Sequence, residues 1–220
     1  MRDYLILKLE GPLQAWGGHT FEDRRPSELF PTRSGLLGLL AACSGIDRSD
    51  RKGQQALATS VLFAVRVDST PIKMVDYHTV KDARKEHQGL KMNATIQTWR
   101  EYLQDAKTSV RFSVAIWLTE HATTSLDELV NAVNKPVYTP FLGRRSCPIT
   151  RPLYADRVSA IDEHAALTLV EPNSGMVYSE TVDETKPKLL IRDVPISGHK
   201  RQFTTRQVSV HAGKGGKHVS

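Results

Sequence analysis

The run Tyr4-Leu5-Ile6-Leu7-Lys8-Leu9 constrains the chain most, because it is apolar enough for a buried strand and stops abruptly at Gly11-Pro12. Such a run belongs at the centre of a sheet. Two further segments read as its neighbours. Val61 to Val67 is a strand with partial alternation, and Val110 to Leu118 is apolar first at alternate positions and then continuously. Between the first two lie an almost wholly apolar helix, Gly35 to Cys43, and a short one, Arg51 to Ala58. Thr32 or Ser34 can cap the first of these, and Gly35 and Gly38 allow another backbone to come close. After the third strand, Ser125 caps a helix to about Asn134 that has Leu126, Leu129, Val130 and Val133 at helical spacing. Val137 to Phe141, ahead of the two arginines, and then Arg151 to Tyr154 follow it. The order β-α-β-β-α-β predicts an α+β fold, a ferredoxin-like or RRM-type domain.

That order holds only if Pro71 to Ala106 is set aside. The segment has too few apolar residues for its own core and carries Lys81, Arg84, Lys85, His87 and Lys91 in its middle. Two extended arms around a basic tip, a protruding hairpin, is the simplest arrangement. A segment that cannot bury its own side chains is expected to be flexible when free and ordered by a partner. Beyond Tyr154 the signals weaken. Leu167 to Val170, Met176 to Tyr178 and Leu189 to Ile191 read as short strands, and the Gly- and Lys-rich tail from Ala212 to Ser220 as mobile.

Composition narrows the partner. The chain has 220 residues, 40% hydrophobic and 25% charged, as in an ordinary globular protein. Lys+Arg exceed Asp+Glu by 30 to 24, a net charge of +6 that favours an anionic partner, nucleic acid first. There is no signal-peptide core and no run of the ~20 apolar residues a membrane span needs, so the expectation is a cytoplasmic protein with no membrane partner. Cys43 and Cys147 stand far apart in no C-x-x-C pattern, which indicates neither a disulfide framework nor zinc. No His or carboxylate pair has metal-ligand spacing, so no metal or cofactor is expected.

The densest anion-binding chemistry lies in Thr139 to Pro148. Prolines fix φ near its two ends, and Gly143 can take the positive φ of a tight turn just before Arg144, Arg145 and Ser146. The loop would hold both guanidinium groups at the end of a strand, where each fork fits two phosphate oxygens or stacks on a base. Gln14-Ala15-Trp16-Gly17-Gly18-His19 is a second, glycine-rich loop whose Trp16 can cap the core or stack on a base. Arg33 falls beside a helix N-terminus, where backbone N–H groups favour a phosphate.

Several of these stretches together resemble one family, the CasD-type subunits of type I-E CRISPR surveillance complexes (Cascade) within the wider Cas-five family. The matching stretches are GPLQAWG (Gly11 to Gly17), FPTRSGLLGLLAAC (Phe30 to Cys43), DYHTV (Asp76 to Val80), IQTWREYLQDA (Ile96 to Ala106) and YTPFLGRRSCPIT (Tyr138 to Thr150). They span about two thirds of the chain in the family's order, and the part after Tyr154 matches poorly. The resemblance implies an RRM-like palm (1–70 and 107–154), an inserted β-hairpin thumb (71–106) and a small, mostly β C-terminal extension (155–220). It implies a non-catalytic RNA-binding subunit that grips the 5′ handle of the CRISPR RNA. Its partners would be the Cascade backbone subunits, the large subunit that reads the protospacer-adjacent motif and, indirectly, target DNA. Arg100, Arg144, Arg145 and Ser146 carry over as RNA contacts, with Trp99, Arg33, Ser34, Gln14, His78 and Lys91 in or beside matched stretches. The competing function is a metal-independent endoribonuclease. It needs a base at the 2′-OH and an acid or cation at the leaving oxygen, and Tyr77-His78 with Lys81 is the local cluster that could supply them.

Overall fold

A computed structural model describes residues 1–20, 22–80, 96–196 and 202–212. Lys81, Arg84, Lys85, Lys91 and the tail beyond Ala212 lie outside the described residues, and with them the expectations for the hairpin tip and the mobile tail. The chain is α+β. Its main sheet joins β1 (Arg2–Gly11), β5 (Val61–Val67), β8 (Val110–Leu118) and β9 (Tyr154–Ala160) to β10 (Val177–Ser179), β11 (Lys188–Pro195) and β12 (Phe203–His211). The spatial order is β11-β12-β10-β5-β8-β1-β9. Helices α1 (Arg33–Cys43), α2 (Arg51–Ser60), α3 (Leu126–Asn134) and α4 (Glu163–Thr168) complete the large elements. The expected β-α-β-β-α-β succession is present as β1, α1, β5, β8, α3 and β9, with all neighbouring strands of this part antiparallel.

β1 lies inside the sheet between β8 and β9, as its apolar run demanded, and both of its faces are covered. Leu5, Leu7 and Leu9 face one way, into a core shared with Phe63, Val65, Phe112, Val114 and Ile116, and α1 and α3 supply Leu36, Leu40, Leu129 and Val133 to it. Tyr4 and Ile6 face the other way, against Ala64, Ala115, Trp117 and α4's Ala166 and Leu167. Each fully buried Leu, Ile or Phe contributes roughly 1.5–3 kcal/mol. Lys8 shares this second face. Its Nζ donates to Ser113 Oγ at 2.6 Å and to Asp68 Oδ2 at 3.1 Å, while Arg66 Nε reaches Asp68 Oδ1 at 2.6 Å. Burial lowers the Lys8 pKa, opposed by the charge of Asp68. A cation beside the sheet's centre is tolerable only with such partners.

Local signals account for the helices. Thr32 caps α1 by accepting from Gly35 N at 3.3 Å, and Ser125 with Glu128 forms a capping box on α3. Gly35 gives α1 its close approach to Trp16, since a Cβ there would stand 2.7 Å from the indole; Gly38 faces open space and has no such role. Trp16 is fully buried, which resolves its two sequence readings in favour of the core.

The C-terminal third differs from expectation in two places. Leu167 to Val170 is no strand. Asp162 caps α4, accepting from Ala165 N at 2.7 Å, and six residues are too few for a helical period to show in sequence. β12 gave little signal because most of its residues are at least partly exposed, Val208 and Ser209 alone being buried. It lies between β11 and β10, so these strands continue the main sheet.

The segment set aside by composition forms two strands, β6 (Ile72–Val80) and β7 (Ile96–Gln104), paired antiparallel from Ile72↔Gln104 to Val80↔Ile96. Two short pieces precede α1, β3 (Arg24–Arg25) and β4 (Ser27–Glu28), and β4 pairs with β2 (Trp16–Gly17). β3 adds itself in parallel to β7, a third strand that sequence did not indicate. As the shortage of apolar residues implied, Ile72, Val75, Tyr77 and Trp99 are each more than 40% exposed.

Leu167→Ala removes the largest side chain by which α4 seals the second face and should lower unfolding free energy by about 2–5 kcal/mol in urea titration. A loss under ~1 kcal/mol would show that α4 contributes little to the core.

Candidate nucleic-acid interface

The loop around the two arginines is a turn and not the end of a strand. Val137 N and Tyr138 N donate to Cys43 O and Ala42 O, so the segment leading in satisfies the open carbonyls at the end of α1. Leu142 N then donates to Cys147 O at 2.9 Å and Cys147 N to Arg144 O at 2.8 Å, which closes the turn. Leu142 and Cys147 are buried and anchor it, while Arg145 and Ser146 are exposed. Gly143 has φ +83°, and a Cβ there would stand 1.8 Å from Ala15 O. Only glycine lets the turn sit directly on the strand-to-loop corner after β1. Ala15 N donates to Leu142 O at 3.1 Å across the same contact.

The turn also abuts the hairpin. Arg144 Nη1 donates to Glu101 O at 3.2 Å and Nη2 to Arg25 O at 2.9 Å, and its Cζ lies 4.7 Å from the Tyr102 ring centroid. Tyr102 therefore becomes the meeting point of the site. Burial pushes its phenol up, but the nearby Ser146 hydroxyl and the Arg144 and Arg100 guanidinium groups outweigh this and hold it below the usual tyrosine value. Sequence inspection did not single out Tyr102. It stands in the IQTWREYLQDA stretch, and nothing in that stretch says which residues return to the loop.

Strand alternation divides the hairpin's candidates between two faces. Arg100, Thr98, His78, Asp76 and Tyr102 share one face, where Arg100 Nε reaches Thr98 Oγ1 at 3.3 Å. Arg144 lies over this face. Trp99 and Tyr77 occupy the other, their ring centroids 4.6 Å apart, with Arg24 of β3 beside Trp99. Trp99 and Arg100, neighbours in sequence, thus cannot clamp the same nucleotide. Tyr77 and His78 are divided in the same way.

Gln14, Arg33 and Ser34 make their contacts elsewhere. Gln14 is fully buried; its Nε2 donates to Val110 O at 2.8 Å and Leu9 O at 3.1 Å, and its Oε1 accepts from Trp16 Nε1 at 2.9 Å. Arg33 is buried too. Its guanidinium binds Glu180 and donates to Ala58 O at 2.7 Å and Val61 O at 3.2 Å. Its backbone N donates to Asp193 Oδ2 at 2.7 Å, so the α1 N-terminus is already occupied by a carboxylate of this chain. Ser34 Oγ lies 3.4 Å from Thr32 Oγ1 on the same helix start. Burial pushes the Glu180 carboxyl up, opposed by Arg33 and Arg206. Its Oε1 is held by Arg206 through charge at 3.2 Å. The set that does converge is therefore Arg100, Tyr102, Arg144, Arg145 and Ser146, with His78 and Arg25 on the same side. Among the described residues no His, Cys, Asp and Glu are gathered in threes as a metal site would require, and no helix is long and apolar enough to cross a membrane.

The family model described as CRISPR-associated protein (Cas_Cas5) matches residues 4–209. The chain belongs to this family. It is 52% identical over its full length, and over all of its relative, to the CRISPR system Cascade subunit CasD of Escherichia coli (strain K12). Among solved structures it is similar to a chain of a CRISPR RNA-guided surveillance complex, with TM-score 0.74, 29% identity and coverage of 96% of this chain and 91% of that one. A crystal structure of a Cas protein matches with TM-score 0.66 at 27% identity over 94% and 93%. The C-terminal third, which matched the family's motifs poorly, thus falls inside the Cas_Cas5 match as far as residue 209.

The Tyr102 environment can be read directly. Tyr102→Phe should reduce the early limb of the alkaline absorbance titration at 295 nm, because Ser146 and the neighbouring arginines hold this phenol low while burial holds Tyr4 and Tyr178 high. An unchanged early limb would mean that Arg144 and Ser146 do not meet Tyr102 in solution.

Proposed function

We propose that this protein is the subunit of a Cascade-type complex that grips the 5′ handle of CRISPR RNA and does not cut it, working in the cytoplasm. The observation that carries this reading is the convergence of the arginine turn and the hairpin base on one face, in a chain 52% identical from end to end to CasD. Arg145 and Ser146 offer an exposed fork and a hydroxyl, and among the described residues Arg100 donates one hydrogen bond, from Nε to Thr98 Oγ1 at 3.3 Å. Single-stranded RNA suits such a surface, since its phosphates take bidentate arginine contacts and its bases can stack. His78 joins the contact set on the same face. Trp99, paired with Tyr77 on the far face and half exposed, is a stacking platform for a different nucleotide. Arg33 and Gln14 support RNA binding through the fold that positions the turn. The backbone subunits and the large subunit that reads the protospacer-adjacent motif are the protein partners, with target DNA reached indirectly.

Binding without cleavage is favoured over the endoribonuclease reading because β6 sends the Tyr77 phenol and the His78 imidazole to opposite faces. A base and an acid must flank one phosphate to act together. Purified protein incubated with precursor repeat RNA should leave it intact with or without chelator. Cleavage within the repeat that disappears in His78→Ala and survives chelation would establish the enzyme instead.

Replacing Arg144 and Arg145 together by Ala should weaken binding of a synthetic 5′-handle RNA several-fold to a hundredfold at physiological salt, a bidentate contact to a base being worth roughly 1–3 kcal/mol. Equal affinity in parent and double variant would reduce the turn to a solvated corner.

A further inference from the structure

The two adjacent arginines of the turn are in unlike situations. Arg144 is half buried, and both terminal nitrogens of its guanidinium are already used. Nη1 donates to the carbonyl of Glu101 in β7, Nη2 to the carbonyl of Arg25 in β3, and Cζ lies over the Tyr102 ring, 4.7 Å from its centre. These two bonds occupy one N–H on each terminal nitrogen, so less of the fork is left for a phosphate than on Arg145. Arg145 is exposed and makes no hydrogen bond or ion pair to any described residue.

We infer that the pair divides its work: Arg145 contacts the RNA, and Arg144 is a positioning residue that clamps the turn, β3 and the hairpin base into one surface. The inference rests on the RNA-binding reading above and assigns roles within that site. Its physical basis is geometric. The two carbonyls belong to neighbouring strands, Arg25 lying opposite Arg100 in the parallel β3–β7 pair. A planar fork with two donors can bridge them while stacking on an aromatic ring; a lysine ammonium is a point charge on a flexible stem and cannot do all three. The turn is held on its other side by Gly143 against Ala15 O, where no Cβ fits. Fixed from both sides, the turn presents Arg145 and Ser146 in constant register with Arg100 and His78. The hairpin base is also tied to this corner by the Gln14↔Leu103 bridge, so loss of Arg144 would free chiefly β3 and the Glu101 carbonyl from the turn.

The test compares Arg144→Ala, Arg144→Lys, Arg145→Ala and Arg145→Lys for binding of a synthetic RNA carrying the 5′ handle of the host's CRISPR repeat, over a range of salt. Each phosphate contact to a single strand contributes about 0.7 to the slope of log K against log salt. Arg145→Ala should flatten that slope by about 0.7, and Arg145→Lys should restore it. Both Arg144 variants should weaken binding three- to thirtyfold with the slope retained, Lys failing to rescue. The Tyr102 titration, read without RNA, should move up in Arg144→Ala and hold in Arg145→Ala. Parent protein that binds no handle RNA would refute the functional reading, and the titration would still decide the clamp. RNA bound by Arg144→Lys as tightly as by the parent, a flattened slope in Arg144→Ala, or a Tyr102 titration indifferent to Arg144 would each overturn the division of roles.

Discussion

The covering of β1 on both faces is the constraint from which the rest of the molecule follows. A strand with Leu5, Leu7 and Leu9 on one side and Tyr4 and Ile6 on the other cannot lie at a sheet edge or against solvent. α1 and α3 cover one side and α4 the other. Because α4 comes from the C-terminal third, that third is needed to complete the centre of the sheet. The end of β1 then places the corner at Ala15, and on that corner rests the arginine turn, seated by a glycine that has no room for a side chain.

Strand periodicity decides much of the chemistry. Linear sequence puts Trp99 beside Arg100 and Tyr77 beside His78, which invites a reading of each pair as one functional unit. In a strand, neighbours point apart, so the hairpin has a polar face turned to the arginine turn and an aromatic face turned away. The consequence for mechanism is direct, since catalysis needs two groups at one phosphate and binding can use two faces for successive nucleotides.

Arginine serves two unlike ends here. Arg33 and Arg66 are buried and Arg206 is partly so, and each is matched by a carboxylate, Glu180, Asp68 or Asp193. Their charges are balanced inside the protein and add little to its outward field. The excess that makes the chain basic therefore resides in more exposed groups such as Arg24 and Arg145. Counting basic residues in sequence points to an anionic partner, but burial decides which of them can meet it.

By itself the sequence determined the α+β class, the core strands and main helices, the insertion between the second and third strands, and the turn at Gly143. These are written in local terms: unbroken apolar runs, a capping box at Ser125, an apolar shortage between Pro71 and Ala106, and a glycine before two arginines. It also carried the family resemblance across those same stretches. Only the tertiary structure decided that Arg33 and Gln14 point inward, that Tyr102 gathers Arg100, Arg144 and Ser146, and that β3 joins the hairpin. The short helix α4 and the largely exposed β12 also emerged only there. The reason is that burial and partnership depend on contacts between residues distant in sequence, such as Arg33 with Glu180 and Arg144 with Arg25, and no local pattern of residue types encodes those pairings.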